Sequence, residues 1–157
     1  MKKIFFTILC LLLMNSCNNE NEEQFNLDVG FELSIINSNG EDILNPNHTN
    51  AIKHSDIKLF YLINGEKEEV YNADYDYPRN FKIYEHQNEY RITIWQNHSD
   101  MEEKPLTYIQ WNDIDTDTIE SIYERNSNSV LQRKIWINGD LLWESNSGIE
   151  PFFVITK

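Results

Sequence analysis

The chain has 157 residues, with 26 acidic against 13 basic and a formal net charge of −13 at pH 7. So acidic a surface repels phosphates and anionic headgroups, which excludes nucleic acid as a partner and a polybasic patch as a membrane anchor. The length suits one domain with a real core, and 13% aromatic residues supply material for it.

Lys2 and Lys3 precede an apolar run from Ile4 to Leu13. The run has the length of a signal-peptide h-region and falls short of the roughly 20 apolar residues that a spanning helix needs. Met14-Asn15-Ser16-Cys17 closes it, with a small residue directly before a cysteine. This segment resembles the lipobox of small Bacteroidota-type lipoproteins, although Met14 and Asn15 replace the usual leucine and small residue. The resemblance implies cleavage before Cys17 and multiple acylation of that cysteine, palmitate included. It also implies anchoring in the outer membrane, since several acyl chains hold stably where one does not. An ordinary cleaved secretory signal is the alternative.

Asn18-Asn19-Glu20-Asn21-Glu22-Glu23-Gln24 follows, polar and acidic, with nothing to bury, and reads as a flexible spacer. In the lipoproteins that the leader resembles, acidic residues at this place imply display at the cell surface; a periplasmic face is the alternative. The expected organisation is therefore a signal peptide over 1–16, an acylated cysteine and acidic tether over 17–27, and a domain over 28–157. Loss of residues 1–16 leaves a net charge of −15 and, apart from Cys17, no thiol, so burial alone must hold the domain.

Along that domain, short runs rich in Ile, Tyr, Phe, Trp and Thr alternate with Asn, Gly, Pro and Asp, which is a β pattern. Val29 to Ile36 alternates like a half-buried strand and ends at Asn37-Ser38-Asn39-Gly40. A loop runs from there to about Asp56. Asn64-Gly65 divides Ile57–Ile63 from Glu66–Tyr71, and Asn138-Gly139 divides Leu131–Ile137 from Asp140–Glu144. Asn-Gly between extended runs favours a two-residue type I′ hairpin, pairing Ile63 with Glu66 and Ile137 with Asp140. Phe81–Glu85 and Tyr90–Gln96 form another predicted hairpin. Thr107–Asn112, Thr118–Arg125 and Pro151–Thr156 complete about nine or ten short, mostly antiparallel strands. The expected fold is all-β, a single immunoglobulin-like or transthyretin-like sandwich.

Two sites stand out. Asp113, Asp115 and Asp117 alternate as calcium ligands do, and Glu124 falls where an EF-hand places its bidentate carboxylate. Thr118 stands where that loop needs glycine and the flanks read as strands, so an acidic turn with solvated Asp115 and Asp117 is the simpler reading. The second site is aromatic. An unbroken register from Asn138-Gly139 sets Trp136 opposite Leu141 and Lys134 opposite Trp143 on one side, with Ile135 facing Leu142 and Arg133 facing Glu144 on the other. With Trp95, these tryptophans make either a platform for a sugar ring or a protein partner, or part of the core rim. The four histidines lack zinc spacing, and no Gly-x-Ser-x-Gly elbow, P-loop or G-x-G-x-x-G occurs.

The reading is a membrane-anchored, non-enzymatic protein-interaction or accessory module of the outer-membrane envelope, without a cofactor. Its alternative is a surface module that binds a glycan or another ligand, with or without calcium. A third class, an envelope hydrolase, would need a catalytic acid pair, and none of the 26 acids is singled out for one.

Overall fold

The computed structural model describes residues 24–157, which form eleven strands and no helix. The expected signal peptide, Cys17 and most of the expected tether lie outside those residues. In chain order the strands are β1 (Asn26–Asp28), β2 (Gly30–Ile36), β3 (Lys58–Ile63), β4 (Glu66–Glu69), β5 (Phe81–His86) and β6 (Glu89–Trp95). They continue as β7 (Leu106–Asn112), β8 (Asp115–Asn126), β9 (Ser129–Ile137), β10 (Asp140–Glu144) and β11 (Phe152–Thr156). A large sheet runs β1-β9-β8-β7-β3-β4, with β10 also paired to β9, and a small sheet runs β11-β2-β6-β5.

Both sheets are mixed, because β1 lies parallel to β9 and β11 parallel to β2. The expectation of mostly antiparallel strands holds for the other pairs, but the order is not clearly immunoglobulin-like. Asn26 and Leu27, expected in the tether, pair with Ser129 and Val130 instead.

Alternation explains which face each strand buries. Phe31, Leu33 and Ile35 of β2 join Ile92 and Ile94 of β6 in one buried cluster with Leu59, Ile109, Trp111, Ile119, Ile135 and Ile137 of the large sheet. Each such side chain contributes on the order of 1.5–3 kcal/mol relative to exposure. The long loop after β2 adds Ile43 and Leu44 to that core. It is pinned there by Ile43 N–H to Ile35 O (3.0 Å) and by the Tyr90 amide donating to Asp42 Oδ2 (2.7 Å).

Both Asn-Gly turns have positive φ at each central residue, 52° and 82° at Asn64-Gly65 and 54° and 89° at Asn138-Gly139. The predicted pairs Ile63–Glu66 and Ile137–Asp140 form. The second hairpin then departs from the expected register. A bulge at Leu142 sets Trp143 opposite Ile135 and Glu144 opposite Lys134. The slip of one residue turns Trp143 from the outer face towards the core, which it partly joins.

Buried polar groups gather between the sheets. Ser121 donates to Gln96, whose amide donates to Gln132 Oε1 (2.8 Å). Tyr61 donates to Trp95 O (2.8 Å) and accepts from Asn80 Nδ2 (2.9 Å). Burial pushes the Tyr61 hydroxyl up to about 12, against the Asn80 bond, and pushes Tyr123 higher still. A tyrosine with a raised folded pKa contributes stability that is complete below its unfolded pKa of about 10 and is lost as pH rises through the folded value. In an alkaline titration Tyr61 and Tyr123 should therefore ionise only together with unfolding. Tyrosinate absorbance will rise in two stages, the second coinciding with loss of far-UV dichroism. A single stage centred near pH 10 would contradict this.

Candidate functional site

The acidic stretch resolves into a turn and a latch. Asp113 and Ile114 form the exposed β7–β8 turn, where the Ile114 amide donates to Asn112 Oδ1 (2.9 Å). Asp115 and Asp117 lie within β8 and point the same way, towards Lys157, whose Nζ stands 2.8 Å from Asp115 and 2.7 Å from Asp117. Asp117 is buried, contrary to the solvated carboxylate expected, and also accepts from Trp111 Nε1 (2.7 Å) and Asn138 Nδ2 (2.9 Å). An ammonium group thus sits where a cation between these two carboxylates would sit. Glu124 cannot join them, because an extended strand carries it roughly 23 Å beyond Asp117. It pairs with Arg133 instead. Among the described residues, no three His, Cys, Asp or Glu side chains gather as a metal site.

The three tryptophans do not share a surface. Trp143 turns inward at the rim and donates from Nε1 to Ile149 O (2.6 Å). Trp136 lies on the outer face of the large sheet under the Lys104 ammonium, 4.1 Å from its ring. Trp95 lies on the outer face of the small sheet, opposite Gly30, where an added Cβ would stand 3.4 Å from the indole Cδ1.

Trp95 nevertheless leads to a surface that strand patterns do not mark. Tyr77 stacks on it, with ring centroids 5.2 Å apart and planes 21° apart. Tyr77 belongs to the segment Tyr71-Asn72-Ala73-Asp74-Tyr75-Asp76-Tyr77-Pro78-Arg79, which links β4 to β5 and holds three exposed tyrosines. Tyr71 and Tyr75 are 64% and 59% exposed, far beyond what a core aromatic tolerates.

The segment is nonetheless tightly built. The Asn72 amide donates to Pro78 O (2.8 Å), and Asn72 receives the Tyr75 amide at its carbonyl and the Asp74 amide at Oδ1. Arg79 ties its base to the neighbouring loop by donating to Ser55 O (3.1 Å) and Ile57 O (2.8 Å). Tyr71, Tyr77, Asp76, Arg79, His54 and Phe81 line a cleft of about 320 Å³. The arrangement presents rigid amphipathic rings, each with an apolar face and a hydroxyl, beside carboxylates and one guanidinium. The one sequence signal for it is composition, three tyrosines in seven residues among Asn, Asp and Pro.

Comparison with known protein families, curated proteins and solved structures finds no match.

Proposed function

We propose that this protein is a lipid-anchored, non-enzymatic binding module of the outer-membrane envelope, and that the tyrosine segment 71–79 is its contact surface for a protein partner. Cys17 is the anchor, the side facing the cell exterior is its place, and a two-layer β-sandwich is the scaffold. The observation that carries the reading is the exposure of Tyr71, Tyr75 and Tyr77 on a segment whose backbone is hydrogen-bonded at Asn72, Tyr75 and Tyr77. Exposed rings on a pre-ordered backbone contribute contact area at low entropic cost, which is how tyrosine-rich loops reach useful affinity. The tight turns around Asn72 and the Arg79 tie provide that order.

The cleft beneath Tyr71 and Tyr77 favours a second reading, a glycan seated with a sugar ring against an aromatic face and its hydroxyls on Asp76 and Arg79. The test is a crosslinking capture from the native envelope, run with the unaltered chain, with Tyr71→Ala/Tyr75→Ala and with Cys17→Ala. Loss of the two rings should weaken a defined protein partner about 30-fold, as expected of hot-spot aromatics worth roughly 2 kcal/mol. Cys17→Ala should release the protein from the membrane fraction. A partner held equally well by the double variant would remove the segment as the contact surface. Binding to a glycan array that depends on Tyr71 would select the second reading.

A further inference from the structure

A sheet edge is a row of unpaired backbone groups, and folded proteins protect such rows with charge, bulges or brevity. Among the described strands the edges differ sharply in this respect. The β4 edge is Glu66-Lys67-Glu68-Glu69, and β5 carries Lys82, Glu85 and His86. At the β9 side of the large sheet, β1 has three residues and β10 is bulged, with Asp140 and Glu144 at its ends. The β11 edge is Phe152-Phe153-Val154-Ile155-Thr156, without a charge, bulge or internal proline.

Its ladder to β2 uses alternate residues. Pro151 O accepts from the Glu32 amide (2.9 Å) and the Lys157 amide donates to Ile36 O (2.9 Å). In a parallel ladder the bonds between those two points belong to Phe153 and Ile155, so Val154 and Thr156 turn their N–H and C=O groups away from β2. Val154 is 56% exposed.

Beside this edge, between β10 and β11, lies a cleft of about 430 Å³ lined by Leu141, Leu142, Trp143, Ile149, Phe152 and Phe153, with Glu144 and Glu150 among its walls. Glu144 is paired with Lys134, whereas Glu150 and Asp28 line an adjoining cleft together. Burial and then the Glu150 charge raise the Asp28 pKa, with Arg133 opposing. Arg91 lies in the same cleft, 3.9 Å from the Phe152 ring, but is already paired with Glu32 and Glu89.

We infer that the β11 edge is a docking site for an extended segment of a partner protein, added as a further strand of the small sheet, with alternate apolar side chains in the cleft and a lysine or arginine beside Asp28 and Glu150. Strand addition takes its affinity from backbone bonds and its specificity from alternate side-chain pockets, and this edge offers both. Charge selects the occupant. A second copy of the chain would bring another net −13 to an acidic rim, whereas a basic extended segment is complementary to it. The edge lies at the opposite side of the small sheet from β5 and the tyrosine segment, so the inference is independent of the proposed function.

The test uses the full chain and two synthetic peptides that alternate Val with Thr, one flanked by Lys and the other by Glu. The Lys-flanked peptide should bind at least about tenfold more tightly, a difference of about 1.4 kcal/mol. Amide exchange at Val154 and Thr156 should slow in the complex. Val154→Pro removes one outward N–H where an edge strand tolerates proline, and should abolish binding without lowering the melting temperature by more than a few degrees. Glu150→Lys, in an exposed connection, should remove the charge preference and decides the matter should Val154→Pro not fold. Binding by neither peptide, or equal binding by Val154→Pro, would overturn the inference. Concentration-dependent dimers abolished by Val154→Pro would overturn it too, by assigning the edge to a second copy.

Discussion

Replacing Asp117 with alanine will lower the stability of the fold by about 3 kcal/mol, the usual consequence of breaking a buried charge pair. For a chain of this length that corresponds to a fall of about 10 °C in melting temperature. The substitution leaves the Trp111 indole N–H and the Asn138 amide without their acceptor and leaves Lys157 with Asp115 alone. Asp117→Asn keeps the shape and loses the charge, so its cost should be smaller.

The same residue predicts a pH dependence. Burial opposes its ionisation, but bonds from Asn138, Lys157 and Trp111 outweigh burial and hold its pKa below the usual 3.8. A depressed carboxylate contributes stability that is present above the unfolded pKa and is lost as pH falls through the folded value. The unaltered chain should therefore lose stability below pH 3.8, while Asp117→Ala shows a flatter profile there. Chemical denaturation at several pH values measures both effects. A cost under about 0.5 kcal/mol would mean that the latch is ornamental.

Trp111→Ala is the second large effect, at about 4 kcal/mol. Trp111 is the largest of the fully buried side chains, and small domains hold only about 5–15 kcal/mol in total. The variant should be marginally folded at 25 °C and lost at physiological temperature. Trp111→Phe separates packing from bonding, since it keeps a ring and removes the N–H donated to Asp117. It should cost about 1–2 kcal/mol. Combined with Asp117→Ala, it should cost about 1 kcal/mol less than the two separate values added together, because both remove one bond. Strict additivity would mean that the indole bond contributes nothing.

Local features were legible in the sequence. Asn64-Gly65 and Asn138-Gly139 announced their hairpins because positive φ at two successive positions restricts the residues that fit. Alternation placed Phe31, Leu33 and Ile35 on one face for the same kind of local reason. What depended on distant residues was hidden. Asp115 and Asp117 plainly shared a face, but the neutralising Lys157 arrives 42 residues after Asp115. Asn138 looked like turn chemistry alone, yet its side chain also binds Asp117. Nothing in Asp140-Leu141-Leu142-Trp143-Glu144 marks the bulge, which becomes favourable once Trp143 reaches the core and Ile149. Trp111 was one aromatic among several until two sheets closed over it. The tyrosine segment 71–79 has neither period, and the expected run Glu66–Tyr71 took Tyr71 into a strand that in fact ends at Glu69.

The two parallel pairings also set the order in which the molecule is made. Asn26 meets Ser129 and Phe152 meets Glu32, contacts on the order of a hundred residues apart in sequence. The hairpins of β3–β4, β5–β6 and β9–β10 join neighbours and close early, at little cost in chain entropy. Strand β2 stays half-paired until β11 arrives, and β1, made first, has no partner until β9 follows. Folding is therefore a late, cooperative event on the millisecond-to-second scale rather than growth from one end. A nascent chain lacking residues 152–156 leaves the backbone groups of Glu32, Ser34 and Ile36 without their partners until β11 arrives.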